Sequence, residues 1–414
     1  MDKKILIIYD YERIIPPFLK TLITIWLDMF DEIKYITAPM PECYIKQLNH
    51  SKISLVSWNK WQRIKQYFKG VSSVFRPSFW KEVFKGAVSY GAIANIGKFY
   101  FCSDGFIDIS ERLIKYNIKE GNNIYILATW FGVDAFTAAR IKEKYPTAKA
   151  FVLAHSGEVM KNRNPYMHQT FQEYVLEKVN KVFFISQNVL KSYLHDMKDI
   201  SLENRFGPKL SSIYLGSVKK TDLMNPESDN GTIQILSCSR IDANKRLDRI
   251  ITTLLKWNGP KIKWTHIGSG ILESEIIKAA EEMRKKKHNV EIHFTGRLDN
   301  SEVIEYYSKN HIDLFINVSK SEGLPISIME AMSYGIPCVA TNVGGTSEIV
   351  NDSNGFLLNQ DFSDEDLNAV LCKFLMMDMH QKRNLRNNAY TMWANHFNAH
   401  NNAIRLFNEM QNIN

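Results

Sequence analysis

Short apolar runs alternate with longer amphipathic stretches along most of the chain. Residues 4–8 (KILII), 124–128 (IYILA), 150–154 (AFVLA) and 181–185 (KVFFI) predict buried strands, and 133–144 predicts one of the helices between them. Parallel strands are covered on both faces by crossover helices and therefore read as continuous apolar runs. The pattern predicts an α/β fold built on parallel sheets.

The alternation is interrupted once, at residues 216–232, where the chain becomes polar and contains Pro, Asn and Gly. It then resumes with predicted strands at 233–237, 262–267, 290–295 and 314–318. We expect two Rossmann-like, doubly wound domains that face a cleft, since ligands of such sheets bind at the carboxyl ends of the strands. The expected divisions are 1–217, 218–395, and a C-terminal helix at 396–414 that crosses back to the first domain.

The most informative segment is 319–350, which contains two glutamates, Glu322 and Glu330, in an E-x7-E arrangement. Gly323, Leu324 and Pro325 predict a turn into a helix, with Pro325 at the first helical position. Free backbone N–H groups at that helix start would attract an anion. Glu330, expected about two turns into the helix and partly buried, needs a hydroxyl or cation partner.

A second segment, 237–247 (SCSRIDANKRL), places Arg240 and Lys245 just after a predicted strand. Cations in this position can face a diphosphate, and arginine suits bidentate phosphate contacts. A solvated loop is the alternative, and the R-x4-K spacing alone favours that alternative.

Together these segments resemble the retaining glycosyltransferases of glycosyltransferase family 4, which have the GT-B fold. The resemblance covers about 233–358 through SRIDANKRLDRII, THIGSG, EIHFTGRLDNSEVIEYY, the 319–350 segment and NGFLL, in that order. Five ordered segments are more specific than any single glycine motif. The first half is similar more loosely.

The resemblance implies a role for each matching residue. Arg240 and Lys245 would hold the donor diphosphate, Glu330 would accept hydrogen bonds from the ribose, and Glu322 would contact the transferred sugar. The backbone of Gly323, Leu324 and Pro325 would line sugar and phosphate, and Arg297 and Leu298 would lie beside the base. His155 would lie on the acceptor side. The catalytic set is therefore Glu322, Arg240, Lys245 and His155.

The implied chemistry is transfer with retention of anomeric configuration and without a metal or other cofactor. One DxD string, at 364–366, follows Ser363 and is interpreted as helix capping. A lone histidine at a strand end, such as His155, is also explained by a structural hydrogen bond. Family members often have a glycine-rich turn after the first strand, whereas this chain has Tyr9, Asp10, Tyr11, Glu12 and Arg13 there.

The net charge of +8 is concentrated in one segment. Residues 58–100 contain eight basic residues and one acidic residue, together with many aromatic side chains. We expect this segment to attach to an anionic membrane surface, although an ordinary helix with a solvated basic face is the alternative. Nothing resembles a nucleic-acid module, so no nucleic acid is expected as a partner.

Location follows from two simpler features. The five cysteines are odd in number and widely spaced, with no CxxC, which favours a reducing compartment. No apolar run is long enough for a membrane span. We expect a cytoplasmic protein, peripheral on the inner face of the cell membrane.

The sequence as a whole favours a hexosyltransferase that uses a nucleotide-diphosphate sugar, UDP-linked in preference to GDP-linked. Its acceptor would be a glycan, lipid-linked, in bacterial cell-surface polysaccharide synthesis of the lipopolysaccharide or capsule type. Two alternatives remain open: a sugar-nucleotide epimerase or hydrolase on the same fold, and a non-catalytic protein that binds glycan or membrane.

Overall fold

The computed structural model describes residues 2–12, 14–58, 72–85, 89–159, 170–197, 200–228 and 231–413. It divides into two compact units. Unit 1 comprises Met1–Tyr214 and His400–Asn414, and unit 2 comprises Leu215–Ala399. The sequence places the first division at 217/218, and the structure places it at 214/215. Part of the basic segment, residues 59–71 and 86–88, lies outside the described residues, as does Arg13.

In the described part of unit 1, seven parallel strands form one sheet in the order β3-β2-β1-β4-β5-β6-β7. The strands are β1 Lys4–Asp10, β2 Glu32–Thr37, β3 Ile53–Ser57, β4 Asn123–Ala128, β5 Lys149–Ala154, β6 Lys181–Phe184 and β7 Leu210–Ser212. All but one residue of β1 are buried, as its continuous apolar run predicts.

Helices connect these strands. They are α1 Pro17–Trp26, α2 Glu42–Ile45, α3 Pro77–Phe84, α4 Tyr90–Lys119, α5 Val133–Lys144, α6 Ser156–Val159, α7 Gln172–Lys178, α8 Gln187–Met197 and α9 Ile200–Phe206, with 3-10 turns at Lys46–Leu48, Ser72–Phe75 and Gly207–Lys209. Helix α5 has the bounds that the sequence predicts. Its apolar face packs on the sheet through Ala135, Ala138 and Ala139, which are completely buried.

Unit 2 contains a second parallel sheet, with six strands among its described residues in the order β10-β9-β8-β11-β12-β13. The strands are β8 Ile233–Cys238, β9 Ile262–Ile267, β10 Val290–Phe294, β11 Leu314–Asn317, β12 Cys338–Thr341 and β13 Gly355–Leu358. The helices are α10 Leu247–Leu255, α11 Glu273–Arg284, α12 Asn300–Lys309, α13 Ile326–Ser333, α14 Thr346–Ile349, α15 Asp364–Met376 and α16 Met379–Met392.

Helix α15 starts with a capping box. The Ser363 hydroxyl accepts a hydrogen bond from the Asp366 backbone N–H at 3.1 Å, and the Asp366 carboxylate accepts one from the Ser363 N–H at 2.8 Å. The capping interpretation of the DxD string is confirmed.

The C-terminal helix packs on unit 1. After a π-helical turn at Trp393–Phe397, α17 runs over Ala399–Gln411. The Trp26 indole N–H donates to the Ala403 carbonyl at 3.0 Å, and Lys181 forms an ion pair with Glu409 at 2.6 Å. These contacts tie residues nearly four hundred positions apart into one core.

The strand order reverses once in each sheet, between β1 and β4 in unit 1 and between β8 and β11 in unit 2. At such a switch point the connecting chains leave on opposite faces of the sheet, and a crevice opens at the carboxyl ends of the two strands. The predicted doubly wound α/β architecture is confirmed. Among the described helices, none is both long and apolar enough to cross a membrane.

Candidate functional site

The switch point of unit 2 brings together residues from two distant segments. Arg240 and Lys245 follow β8, and Glu322 follows β11, the neighbouring strand. The Lys245 ammonium lies 2.6 Å from Oε1 of Glu322, and both side chains are largely buried. The Asn317 amide donates to the same oxygen at 3.3 Å. The predicted catalytic pair Lys245 and Glu322 is therefore in direct contact.

Arg240 lies differently from Lys245. Its side chain is 84% exposed, and its guanidinium is 3.5 Å from the Asp242 carboxylate. Asp242 also accepts hydrogen bonds from the backbone N–H groups of Asn244 and Lys245, a turn that aspartate commonly caps. One of the two predicted phosphate ligands is thus fixed by an ion pair, and the other projects into solvent.

Arg246 is a site residue that the sequence analysis missed. Its guanidinium donates to the carbonyls of Val318 at 2.7 Å and Gln360 at 2.8 Å. Its backbone has a φ of +50°, which is rare outside glycine. Arg246 joins the loop after β8 to the end of β11. From the sequence, a third basic residue in a polar loop is expected to be solvated, so nothing in the sequence separated Arg246 from an ordinary surface residue.

Two glycines hold the Glu322 loop by backbone contact. Gly344 has a φ of +57°, and a Cβ added there would lie 1.9 Å from the Glu322 carbonyl oxygen. The Gly345 N–H donates to the Gly323 carbonyl at 2.7 Å. Any side chain at residue 344 would push the loop away, so this contact requires glycine.

Glycines also bring the ends of β8, β9 and β10 together. A Cβ at Gly268 would lie 1.9 Å from the Ser239 carbonyl oxygen, and the Gly268 N–H donates to the Gly296 carbonyl at 2.9 Å. Arg297 and Leu298 follow directly; the first is exposed and the second is half-buried. From the sequence alone, these glycines are turn residues. In the structure they bring the strand ends together next to the predicted base-binding residues.

Helix α13 starts one residue later than predicted. Pro325 precedes the helix with a ψ of 106°, so it occupies the capping position, and the prediction of Pro325 at the first helical position is wrong. Glu330 lies four residues after the first helical residue, about one turn into the helix, whereas about two turns were expected. No side chain caps α13, which leaves its first backbone N–H groups available to a ligand.

Glu330 is half-buried and has partners that the sequence did not indicate. Its carboxylate accepts a hydrogen bond from the Asn300 amide at 3.1 Å, and the Lys220 ammonium donates to the Asn300 carbonyl oxygen at 3.0 Å. Burial raises the pKa of Glu330, whereas the Asn300 hydrogen bond and the Lys220 charge oppose the rise. The three residues form a polar chain that orients the Glu330 carboxylate.

His155, after β5 in unit 1, lies between two aromatic rings. Its ring centroid is 4.9 Å from that of Phe18 and 4.4 Å from that of Trp130. Burial lowers the pKa of His155 to about 4, although a hydrogen bond to the Thr129 backbone opposes the shift. The imidazole is neutral at neutral pH. Its buried Nε2 atom has no hydrogen-bond partner among the described residues.

Beside His155 lies a cluster of carboxyl groups that the sequence analysis did not identify. Glu158 accepts hydrogen bonds from the backbone N–H groups of Phe131 at 3.1 Å and His155 at 3.2 Å. Burial raises the pKa of Glu158 to about 8 and that of Asp10 to about 6, and it raises the pKa of Asp134 well above its usual range. Asp10, at the end of β1, occupies the position where a glycine-rich turn was expected.

Part of the chain matches a known protein family. Residues 219–392 match the family model described as glycosyl transferases group 1. This matched region, called the glycosyl transferases group 1 domain below, covers 174 of the 414 residues and lies within unit 2. The domain contains Arg240, Lys245, Arg297, Glu322 and Glu330, while His155 lies outside it.

Relatives extend the similarity beyond the glycosyl transferases group 1 domain. The UDP-N-acetylglucosamine–peptide N-acetylglucosaminyltransferase GtfA subunit of Streptococcus gordonii is 21% identical over 346 residues, which is 76% of this chain. The chain spans 65% of that protein's length. The O-antigen biosynthesis glycosyltransferase WbnH of Escherichia coli is 29% identical over 151 residues, which is 36% of this chain and 40% of WbnH.

A solved structure matches the whole fold. Anabaena HepE, solved in complex with UDP, superimposes with a TM-score of 0.66 at 14% identity and covers 99% of both chains. At this identity the likeness establishes the GT-B architecture alone.

The Gly344 contact is tested by a pair of alanine substitutions. Both Gly344 and Gly231 have positive φ, but a Cβ at Gly231 would meet nothing within 4 Å. We expect Gly231→Ala to lower the free energy of unfolding by about 1–2 kcal/mol, the ordinary penalty for a side chain in this conformation. Gly344→Ala should lower the free energy of unfolding further, measured by urea denaturation. Equal losses in the two variants would contradict the proposed loop contact.

The raised pKa of Glu158 predicts a pH dependence of stability. An unfolded glutamate loses its proton near pH 4.5, whereas Glu158 keeps its proton to about pH 8. Between these values the folded state binds the extra proton, so the free energy of unfolding falls as pH rises, by at most about 1.4 kcal/mol per pH unit. Above about pH 8 this contribution to the slope ends.

Thermal unfolding between pH 5 and 8 checks this expectation. Glu158→Gln keeps an oxygen that accepts the two backbone hydrogen bonds and cannot ionise, so it should become more stable relative to wild type as pH rises. Glu120→Gln, which alters an exposed carboxyl group after α4, is the matched control. Parallel stability curves for wild type and Glu158→Gln would contradict the assignment.

Proposed function

We propose that the protein is a retaining, metal-independent glycosyltransferase of family 4 that transfers a hexose from a UDP-sugar to a glycan acceptor. The observation that carries this proposal is the contact between Lys245 and Glu322 at the switch point of unit 2. It places a cation and a carboxylate together within the glycosyl transferases group 1 domain, where open α/β sheets bind their ligands.

The donor diphosphate would be bound by Lys245, Arg240 and the uncapped start of α13. Exposed Arg240 can move to form a bidentate contact with a phosphate. The backbone N–H groups of α13 and its dipole favour the same negative charge. Together they would stabilise the charge that develops on the leaving UDP as the glycosidic bond breaks.

Recognition of the remainder of the donor would fall to the neighbouring residues. The Glu330 carboxylate, oriented by Asn300, would accept hydrogen bonds from the ribose hydroxyls. Glu322 would contact the transferred sugar through a hydroxyl, together with the backbone of Gly323, Leu324 and Pro325. Arg297 and Leu298 would lie beside the base.

The reaction we propose proceeds on one face of the sugar. The bond from the anomeric carbon to the phosphate oxygen breaks, and the acceptor hydroxyl forms the new bond from the same side. The departing phosphate oxygen takes the acceptor proton, so the protein mainly stabilises charge. Neutral His155, with its Nε2 atom unpaired in the described structure, would form a hydrogen bond with a sugar hydroxyl on the acceptor side.

The names of related proteins support the choice of substrates. The S. gordonii relative is named for a UDP-linked sugar, and the Anabaena structure contains UDP. The E. coli relative is named for O-antigen biosynthesis. We therefore favour a UDP-sugar over a GDP-sugar, and a lipid-linked acceptor in bacterial cell-surface polysaccharide synthesis at the cytoplasmic face of the membrane.

A donor screen tests the function directly. Thermal shift with UDP- and GDP-sugars identifies the donor, because a ligand that binds the folded state raises stability by mass action. NMR of the product then reports the anomeric configuration. Equal donor turnover with and without acceptor would favour an epimerase or hydrolase. Failure of a folded protein to bind any nucleotide sugar would favour a non-catalytic binding protein.

Removing either of two side chains should abolish most of the transfer. We expect Lys245→Ala to lower kcat by about 10²-fold or more, because the cation at the developing phosphate charge is lost. Glu330→Ala should have an effect of similar size by removing the ribose contact. Lys320→Ala, an exposed lysine in the adjacent loop, is the control and should react normally. Normal turnover in Lys245→Ala would refute the site.

Membrane attachment is supported by exposed aromatic side chains in the described part of the basic segment. Phe75 is 85% exposed and Phe84 is 83% exposed, and Trp80, one helical turn before Phe84 on α3, is 49% exposed. Lys81 lies on the same helix, and Lys85 follows its last residue. Aromatic and basic side chains in this combination favour the interface of an anionic bilayer.

Vesicle sedimentation tests the attachment. The double variant Trp80→Ala/Phe84→Ala should bind vesicles of anionic phosphatidylglycerol at least about tenfold more weakly, because each ring contributes apolar burial. Tyr116→Ala, which removes an exposed aromatic ring from α4, should bind as wild type does. Unchanged binding of the double variant would refute this membrane surface.

A further inference from the structure

One cavity of unit 1 is lined mainly by residues of its helices. It has a volume of about 360 Å³, within the range of small-molecule sites. Helices α3, α4, α5 and α7 surround it, and its lining includes Arg76, Ser78, Lys81, Tyr100, Arg140 and Tyr174. Neither the proposed donor site nor the proposed acceptor contacts use any of these residues.

Two arginines in the lining of this cavity are held by the same neighbours. Arg76 and Arg140 both bind one buried carboxylate, Asp104, at 2.8 Å and 2.7 Å. Both guanidinium groups also lie over the ring of Tyr100, with the guanidinium carbons 4.7 Å and 5.7 Å from the ring centroid. Two arginines therefore share a single counter-charge.

The arginines retain unused donors. Among the described residues, Arg140 uses Nη1 alone, for its ion pair with Asp104 and for a hydrogen bond to the Ser103 hydroxyl at 2.9 Å. Its Nε and Nη2 groups are left for a ligand, and guanidinium geometry suits two oxygens of one anion. Ion pairing and ring stacking hold both arginines in place before any ligand binds, which lowers the entropy cost of binding.

Four carboxylates line the cavity, and three of them have a cation of their own. Glu143 is paired with Lys178 at 2.7 Å, Glu173 with Lys85, and Glu177 with Arg205 at 3.1 Å. Glu82 is buried, and its carboxylate accepts a hydrogen bond from the Phe171 backbone N–H at 2.7 Å. Lys81, by contrast, is exposed and forms no ion pair within the described part of the chain.

We propose that this cavity binds a monosaccharide-sized ligand that carries a carboxylate or a phosphate group. The anion binds Arg76 and Arg140, and Lys81 contributes a further positive charge. The hydroxyl groups of Ser78 and Tyr174 and the carboxylate of Glu143 face the remaining, polar part of the ligand. This site is independent of the donor site, and its occupancy does not require transfer activity.

Isothermal titration of the full-length protein tests the proposal with three probes. Sodium glucuronate carries the carboxylate, glucose 6-phosphate carries the phosphate, and glucose carries neither. We expect at least one anionic sugar to bind and glucose to bind at least about tenfold more weakly, since a charge-assisted hydrogen bond is lost. The tighter anionic sugar identifies which group the cavity takes.

Variants locate the binding. Arg76→Gln should lower the affinity for the anionic sugar by about tenfold. Lys81 is exposed and forms no ion pair among the described residues, so Lys81→Gln should lower the affinity by a smaller factor. Lys115→Gln on the outer face of α4 and Lys245→Ala at the donor site should leave the affinity unchanged. The proposal is overturned if neither anionic sugar binds, if glucose binds equally well, or if Lys245→Ala abolishes binding while Arg76→Gln and Lys81→Gln do not.

Discussion

The reversal of strand order between β8 and β11 is the constraint on which the candidate site of unit 2 depends. Two adjacent parallel strands end side by side there, but their connections leave on opposite faces of the sheet. Lys245 and Glu322, which are 77 positions apart in the sequence, are thereby close enough to form an ion pair. The chemistry of the site follows from this topology, because no local segment contains both charges.

Backbone contacts then fix the loops that the topology brings together. Gly344 and Gly268 allow carbonyl groups of neighbouring loops to approach where a side chain would prevent it. Arg246 adds hydrogen bonds from its guanidinium to carbonyls after β11 and β13. The loop backbones therefore contact one another directly, and these contacts fix the positions from which the charged side chains project.

Much of the fold could be predicted from the sequence because its signals are local. Continuous apolar runs marked β1, β4 and β5, and the polar stretch at 216–232 marked the division between units. The E-x7-E loop was also recognisable, since Gly323 and Pro325 are turn signals in sequence. Even so, the start of α13 was misplaced by one residue, because Pro325 is compatible with both the capping and the first helical position.

Features that depend on packing between distant elements could not be predicted. The chain from Lys220 through Asn300 to Glu330 joins three segments with no shared motif. The raised pKa of Glu158 and Asp134 arises from burial at the ends of different strands, which their sequence neighbours do not reveal. The arginine pair on Asp104 likewise requires three helices to meet.

The glycine contacts at residues 344 and 345 have a consequence for how this protein can change. Because carbonyl and N–H groups shape the loop from 319 to 325, its outline does not depend on the identity of its exposed side chains. Residues such as Lys320 can therefore vary while Glu322 keeps its position. Exposed residues of this loop can therefore change by single substitutions on a fixed backbone, without rebuilding the fold.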